Sequence, residues 1–137
     1  MGLFAGTPPT TLGANDGRLA PCKRSPNCVS SQADRSSDAG HFIAPLAFRG
    51  SADAAWAALR EIVRHTERAR IVREQPGYLQ AEFTSRVLGF VDDVEFLLEP
   101  PAHVIHVRSA SRLGYRDFGV NRERVEAIRR QLAAGAV

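Results

Sequence analysis

Two stretches, Tyr78–Arg86 (YLQAEFTSR) and Phe90–Leu98 (FVDDVEFLL), decide the fold. In the first, Leu79, Ala81, Phe83 and Ser85 alternate with Tyr78, Gln80, Glu82, Thr84 and Arg86. In the second, Val94, Phe96 and Leu98 alternate with Asp93, Glu95 and Leu97. Period-two alternation with a short turn between the runs predicts antiparallel strands with one face buried.

Working outward, Arg70–Glu74 reads as a preceding strand, joined through the turn Gln75-Pro76-Gly77. His103–Ser109 reads as a following strand, set off by Pro100-Pro101. Before these strands, Ala52, Ala55, Trp56, Leu59, Ile62 and Val63 recur at helical spacing behind Ser51, a residue suited to capping free N–H groups. After them, Val125, Ile128 and Leu132 form the stripe of a last helix, with Asn121 expected as its cap. The order helix, four strands, helix predicts a two-layer α+β domain. Two helices cover one face of a four-stranded antiparallel sheet. The other face then carries Glu82, Thr84, Arg86, Asp93, Glu95, His106 and Arg108, expected as paired charges open to solvent.

The N-terminal part is read differently. Residues 1–20 are rich in Gly, Thr and Pro and are expected to be a flexible or extended arm, with Leu3, Phe4 and Leu12 available to pin it. Residues 21–40 form a polar loop, and His41–Phe48 forms an edge segment interrupted by Pro45. A single domain is thus expected over residues 21–134.

Composition limits the function. At 137 residues with 44% hydrophobic and 24% charged residues, the chain is one ordinary globular domain. The net charge of +3 favours anionic ligands but is too small to imply nucleic acid. No apolar run approaches the ~18 residues of a membrane span. The start MGLFAGTPPTT lacks the basic and apolar regions of a signal peptide, so a soluble cytoplasmic protein is expected, with Cys22 and Cys28 mostly reduced.

Three motifs, CxxSPNCVSSQ (Cys22–Gln32), SRxxGFVDDVEF (Ser85–Phe96) and RSASRxGxxDxGVNRxRVE (Arg108–Glu126), together with HxIxPLxF (His41–Phe48), resemble one family. It is a family of small domains from bacteria and photosynthetic eukaryotes, catalogued only as a domain of unknown function. The motifs cover nearly all of residues 20–133. The resemblance brings no activity, ligand or catalytic residue with it. Many members look exported, whereas the start of this sequence is not expected to act as an export signal.

Three groups of residues could carry chemistry. Arg108, Ser109, Ser111, Arg112, Arg116, Asn121 and Arg122 place guanidiniums and hydroxyls in a glycine-bearing loop that enters a helix, the ingredients of an anion pocket. The same loop has a purely structural reading, in which Arg112 and Arg116 pair with Asp92, Asp93 or Asp117. Arg86, Asp93, Glu95 and His106 fall on one sheet face, where Asp93, Glu95 and His106 suit acid–base work of a hydrolase or lyase. Cys22 and Cys28, separated by five residues, allow a local disulfide, packing, or a thiol redox role. No metal-ligand pattern and no cofactor fingerprint stands out, so neither is expected. The leading expectation is a small domain that binds an anionic small molecule or a protein partner between the 108–122 and Ser25–Gln32 loops. Enzymatic and redox functions are the alternatives.

Overall fold

The computed structural model describes residues 4–135. Leu3 lies outside them. The elements are β1 (Ala14–Asn15), β2 (Arg18–Leu19), β3 (Cys28–Ser30), β4 (Leu46–Ala47), α1 (Ala52–Arg64), β5 (Ala69–Gln75), β6 (Tyr78–Thr84), β7 (Val91–Glu99), β8 (Val104–Ser111) and α2 (Val120–Ala134).

The alternating stretches are β6 and β7, paired from Tyr78↔Leu97 to Thr84↔Val91. On one face Leu79, Ala81, Phe83, Val94 and Phe96 meet Ile105 and Val107 of β8 and the apolar stripes of both helices. Leu46, Leu59, Leu79, Val94, Phe96, Ile105 and Val125 are completely excluded from solvent. Burying each such large side chain contributes about 1.5–3 kcal/mol. Ser51 caps α1 as expected, its Oγ accepting the Ala54 N–H at 3.1 Å. In the β5–β6 turn Gly77 takes φ +72°, where a side chain would be strained.

The sheet has six strands rather than four. Its order is β3-β8-β7-β6-β5, and β4 also pairs with β8. β3 pairs with Arg108–Ala110 and β4 with Val104–Ile105, so the two lie end to end along the edge of β8. Both are antiparallel to it. Three and two residues are too short to show alternation, which is why β3 was hidden inside the polar 21–40 loop.

A second correction concerns the face away from the helices. It is roofed rather than open to solvent. The segment expected as an arm contains the β1–β2 hairpin, closed by Asp16-Gly17. Gln32 clamps this hairpin, accepting from Leu19 N and donating to Gly17 O. Gly13 N donates to Glu95 in β7, and Arg108 reaches Pro21 O. Phe4 stacks on Phe90 at 5.0 Å. Asp93, Glu95 and Arg108, expected on an open face, are therefore buried, Glu95 completely.

Candidate functional site

The roofed face is built from alternate residues of three strands. Register sets Gln80 beside Glu95, Glu82 beside Asp93, and Glu95 beside Arg108. Arg112, just beyond β8, turns back over them. Its Nε and Nη2 grip both oxygens of Asp93 at 2.8 and 2.9 Å, and Nη2 also donates to Glu82 Oε2 at 2.6 Å. Arg70 closes the row on Glu82 at 2.9 Å. The hydrogen bonds that Arg112 donates to Asp93 and Glu82 raise its pKa above its ordinary value, against the effect of burial. Burial raises the Glu82 carboxyl, but the bonds from Arg112 and Arg70 outweigh it and leave the net pKa lowered.

Glu95 is the deepest member. Its Oε2 accepts from Tyr78 Oη at 2.6 Å and from Gly13 N at 2.7 Å. Burial, and then the bond to Glu95, push the Tyr78 hydroxyl well above its ordinary pKa. Arg108 Nη1 lies 3.7 Å from Glu95 Oε1, outside hydrogen-bond range. Glu95 Oε1 and Arg108 Nε are buried without a hydrogen-bond partner among the described residues. Burial lowers the Arg108 pKa, with Glu95 and Asp93 opposing it. Arg86, expected on this face, is exposed in the β6–β7 loop instead.

His106 shares the face at its outer end. Ser31 Oγ lies 3.0 Å from His106 Nδ1, and Glu99 Oε1 lies 2.9 Å from His106 Nε2. This Ser-His-Glu relay was not legible in the sequence, because it depends on Ser31 following an edge strand that gives no periodic signal. Ser31 is only 7% exposed, and its Oγ already accepts the Val107 N–H at 2.9 Å. The serine therefore joins the β3 edge to β8 rather than facing an open cleft.

Ser109, Ser111 and Asn121 lie on the helix side of the sheet. Asn121, expected as a helix cap, sits inside α2 and is completely buried. Its Oδ1 accepts from Ser109 Oγ and Arg124 Nη1, while its Nδ2 donates toward Asn27 O, Ser111 Oγ and Asp117 Oδ2. Gly119 holds the cap position with φ +81°, and the Asp117 carboxylate receives the Gly119 and Asn121 N–H groups. Burial raises the Asp117 pKa, but bonds from Asn121 and Gly119 outweigh it and lower it overall. Asp92 faces the same side and pairs with Arg124 at 2.7 Å.

Arg116 and Arg122 remain. They flank a cleft of about 280 Å³ between the β8–α2 loop and the cysteine loop. Pro26, Val29 and Gly40 form one wall, and Asp117, Phe118 and Gly119 form the other. Neither arginine forms an ion pair among the described residues. Arg122 donates one hydrogen bond across the cleft, to Gly40 O at 3.2 Å, and Arg116 lies over the Tyr115 ring. A larger groove of about 780 Å³ runs between the start of α1 and the end of α2, past Phe48, Ala54, Ala58 and Leu132. Its Arg129 is already held by Ala44 O, Pro45 O and Glu126.

The cysteines are joined in a disulfide, against the expectation that they are reduced. Pairing of Cys28 with Ala110 fixes one end of the loop. The Cα atoms of Cys22 and Cys28 then lie 5.7 Å apart, a spacing that suits a bridge. The bridge holds the loop that supplies Pro26 to the cleft. Asn27 in the same loop donates to Gly114 O at 2.7 Å. Among the described residues, no three of His, Cys, Asp and Glu converge as a metal-ligand set. None of the helices there is long and apolar enough to cross a membrane.

The chain belongs to the family described as Protein of unknown function (DUF1499), whose match spans residues 18–132, from β2 nearly to the end of α2. No curated protein and no solved structure matches it.

Proposed function

We propose that this member of the family is a binding module for a small anion, received in the cleft between the cysteine loop and the β8–α2 loop. The observation that carries the reading is the pair Arg116 and Arg122. They flank the cleft with guanidiniums that form no ion pair among the described residues, while Asp117 in the same lining is bound to the Gly119 and Asn121 N–H groups. The other arginines expected to bind a ligand are engaged elsewhere. Arg112 is committed to Asp93 and Glu82, and Arg108 lies under the roof. Planar guanidiniums suit bidentate recognition of phosphate or carboxylate oxygens. The cleft's size suits inorganic phosphate or a small phosphorylated metabolite. The disulfide and the Asn27–Gly114 bond hold its walls in place without a ligand, which lowers the ordering cost of binding.

The enzymatic alternative at Asp93, Glu95 and His106 has less support. Both carboxylates are buried, Asp93 held at both oxygens by Arg112 and Glu95 at Oε2 by Tyr78 and Gly13, and none of the three lines either cleft.

Thermal unfolding with inorganic phosphate and with phosphorylated metabolites tests the anion reading. Ligand at a hundred times its Kd adds about 2.7 kcal/mol, a rise of several degrees in Tm for a domain of this size. The rise should vanish in Arg116→Ala/Arg122→Ala. Anions that leave Tm unmoved, or stabilise that variant equally, would reject the site.

A further inference from the structure

One end of the sheet gathers the molecule's exposed apolar side chains. Among the described residues these are Val87, Leu88, Leu113, Tyr115, Phe118 and Val120, with Phe4 beside them. Phe118 is 93% exposed and Val87 86%. Local contacts show that the segments are neighbours. Arg112 N bonds Val91 O, which sets the β8–α2 loop against the β6–β7 loop. Phe4 stacks on Phe90, and Gly6 lies against Leu113. Asn27 ties the cysteine loop to Gly114.

The charges at this end are one-sided. Lys23, Arg24, Arg86, Arg116 and Arg122 are exposed there and form no ion pair among the described residues. The nearby carboxylates are engaged by other groups, including the exposed Glu123, which pairs with Arg130. Glu82 and Asp93 go to Arg112, Asp92 goes to Arg124, and Asp117 goes to the start of α2. Val87, Leu88, Tyr115 and Phe118 project from two loops, and these loops and the cysteine loop carry exposed cations that form no ion pair among the described residues.

We infer that this end docks on an anionic lipid surface. Val87, Leu88, Tyr115 and Phe118 enter the interfacial zone, and Lys23, Arg24, Arg86 and Arg116 meet the headgroup phosphates. Exposed apolar clusters of this kind mark interaction surfaces. Aromatic and aliphatic tips with flanking basic residues match the chemistry of the bilayer interface. The cations answer its negative potential. An acidic protein would supply the charge but would need a concave apolar receptor for tips that project on two separate loops. The inference goes beyond the cleft and does not depend on a soluble anion binding there.

Sedimentation with phosphatidylcholine vesicles, with and without phosphatidylglycerol, tests it at low and high salt. Low-salt binding to phosphatidylglycerol vesicles should exceed binding to phosphatidylcholine alone by about tenfold or more, and should weaken in high salt. Val87→Asp/Leu88→Asp removes two tips whose exposure spares the core, and should lower binding about tenfold with melting unchanged. Arg86→Glu/Lys23→Glu should weaken only the anionic-vesicle binding. Both pairs lie outside the cleft, so phosphate binding stays as a separate readout. The inference is overturned if phosphatidylglycerol vesicles bring down no protein, if both vesicle types bind equally, or if the aspartate variant binds like the parent. It is also overturned if light scattering shows a dimer that this variant dissolves, because the surface then joins two copies.

Discussion

Arg112 holds Asp93 with a two-pronged fork, Nε to Oδ2 at 2.8 Å and Nη2 to Oδ1 at 2.9 Å, while the Asp93 side chain is only 1% exposed. The same guanidinium reaches Glu82, so one residue beyond β8 ties β6 to β7. Removing one partner of a buried pair strands the other charge. Arg112→Ala should therefore cost about 3–5 kcal/mol in urea unfolding. Arg112→Lys keeps the charge but loses the fork, and should recover only part of that cost.

The same contact sets an acid limit. The folded-state pKa of Glu82 is lowered, so its contribution is fully present above its unfolded value. That contribution is lost as pH falls through the folded value. Stability should decline below about pH 4, near the ordinary glutamate pKa, and the decline should be shallower in Arg112→Ala. Urea midpoints measured across the acid range check both the direction and the dependence on Arg112.

Tyr78 gives the opposite window. Its hydroxyl is the side-chain donor to buried Glu95, and its pKa is raised. Stability from this group is complete below the unfolded tyrosine pKa and is lost as pH rises above about 10, where the unfolded chain ionises first. Tyr78→Phe should cost about 1–3 kcal/mol at neutral pH, because Glu95 loses a donor it cannot replace with water. The variant should also lose the part of the alkaline decline that parent protein shows. Equal alkaline profiles for the two proteins would assign that decline to other groups.

The strands β6 and β7 were legible because Leu79, Ala81 and Phe83, and then Val94 and Phe96, mark one buried side with an unbroken period of two. The polar residues opposite them gave no sign of being covered. Asp93 and Glu95 look like surface charges in any local window. Only the Gly13 and Pro21 contacts, made across more than eighty residues, show that the N-terminal segment roofs them. Asn121 departs from its expected place for a related reason. An asparagine before an apolar stripe has the pattern of a helix cap, and the residue that receives the free N–H groups is Asp117, four positions earlier. Arg116 and Arg122 are two of seven candidates in the sequence, but their separation from the other five comes from where the β8–α2 loop turns, which composition does not encode.

The Cys22–Cys28 bridge closes a short loop against β8. Chain-entropy arguments give a loop of this length a contribution of about 2 kcal/mol. Cys22→Ser/Cys28→Ser should lower stability by about that amount without dismantling the sheet, since β3 still pairs with β8. If the cleft binds an anion, the same variant should bind it more weakly, because Pro26 in the unbridged loop is then held less firmly. Calorimetric melting, repeated with phosphate present, measures both effects in one experiment.

Asn121 joins more elements than any single arginine of the roofed face. Through it, Ser109 and Ser111 of β8, Asn27 of the cysteine loop, and Asp117 before α2 share one buried cluster. Asn121→Ala leaves several of these groups buried with a partner missing, and should cost about 2–3 kcal/mol, toward the upper end for an unsatisfied buried polar site. Asn121→Asp keeps the Oδ1 acceptor for Ser109 and Arg124 but replaces the donor with a second acceptor facing Asp117. It should be at least as damaging near neutral pH and recover as acid protonates the carboxyl pair. Asp117→Asn relieves that repulsion, so the double variant Asn121→Asp/Asp117→Asn should be more stable than Asn121→Asp alone. A double-mutant cycle at neutral pH with no coupling between positions 117 and 121 would show that the α2 start is held by its backbone bonds alone.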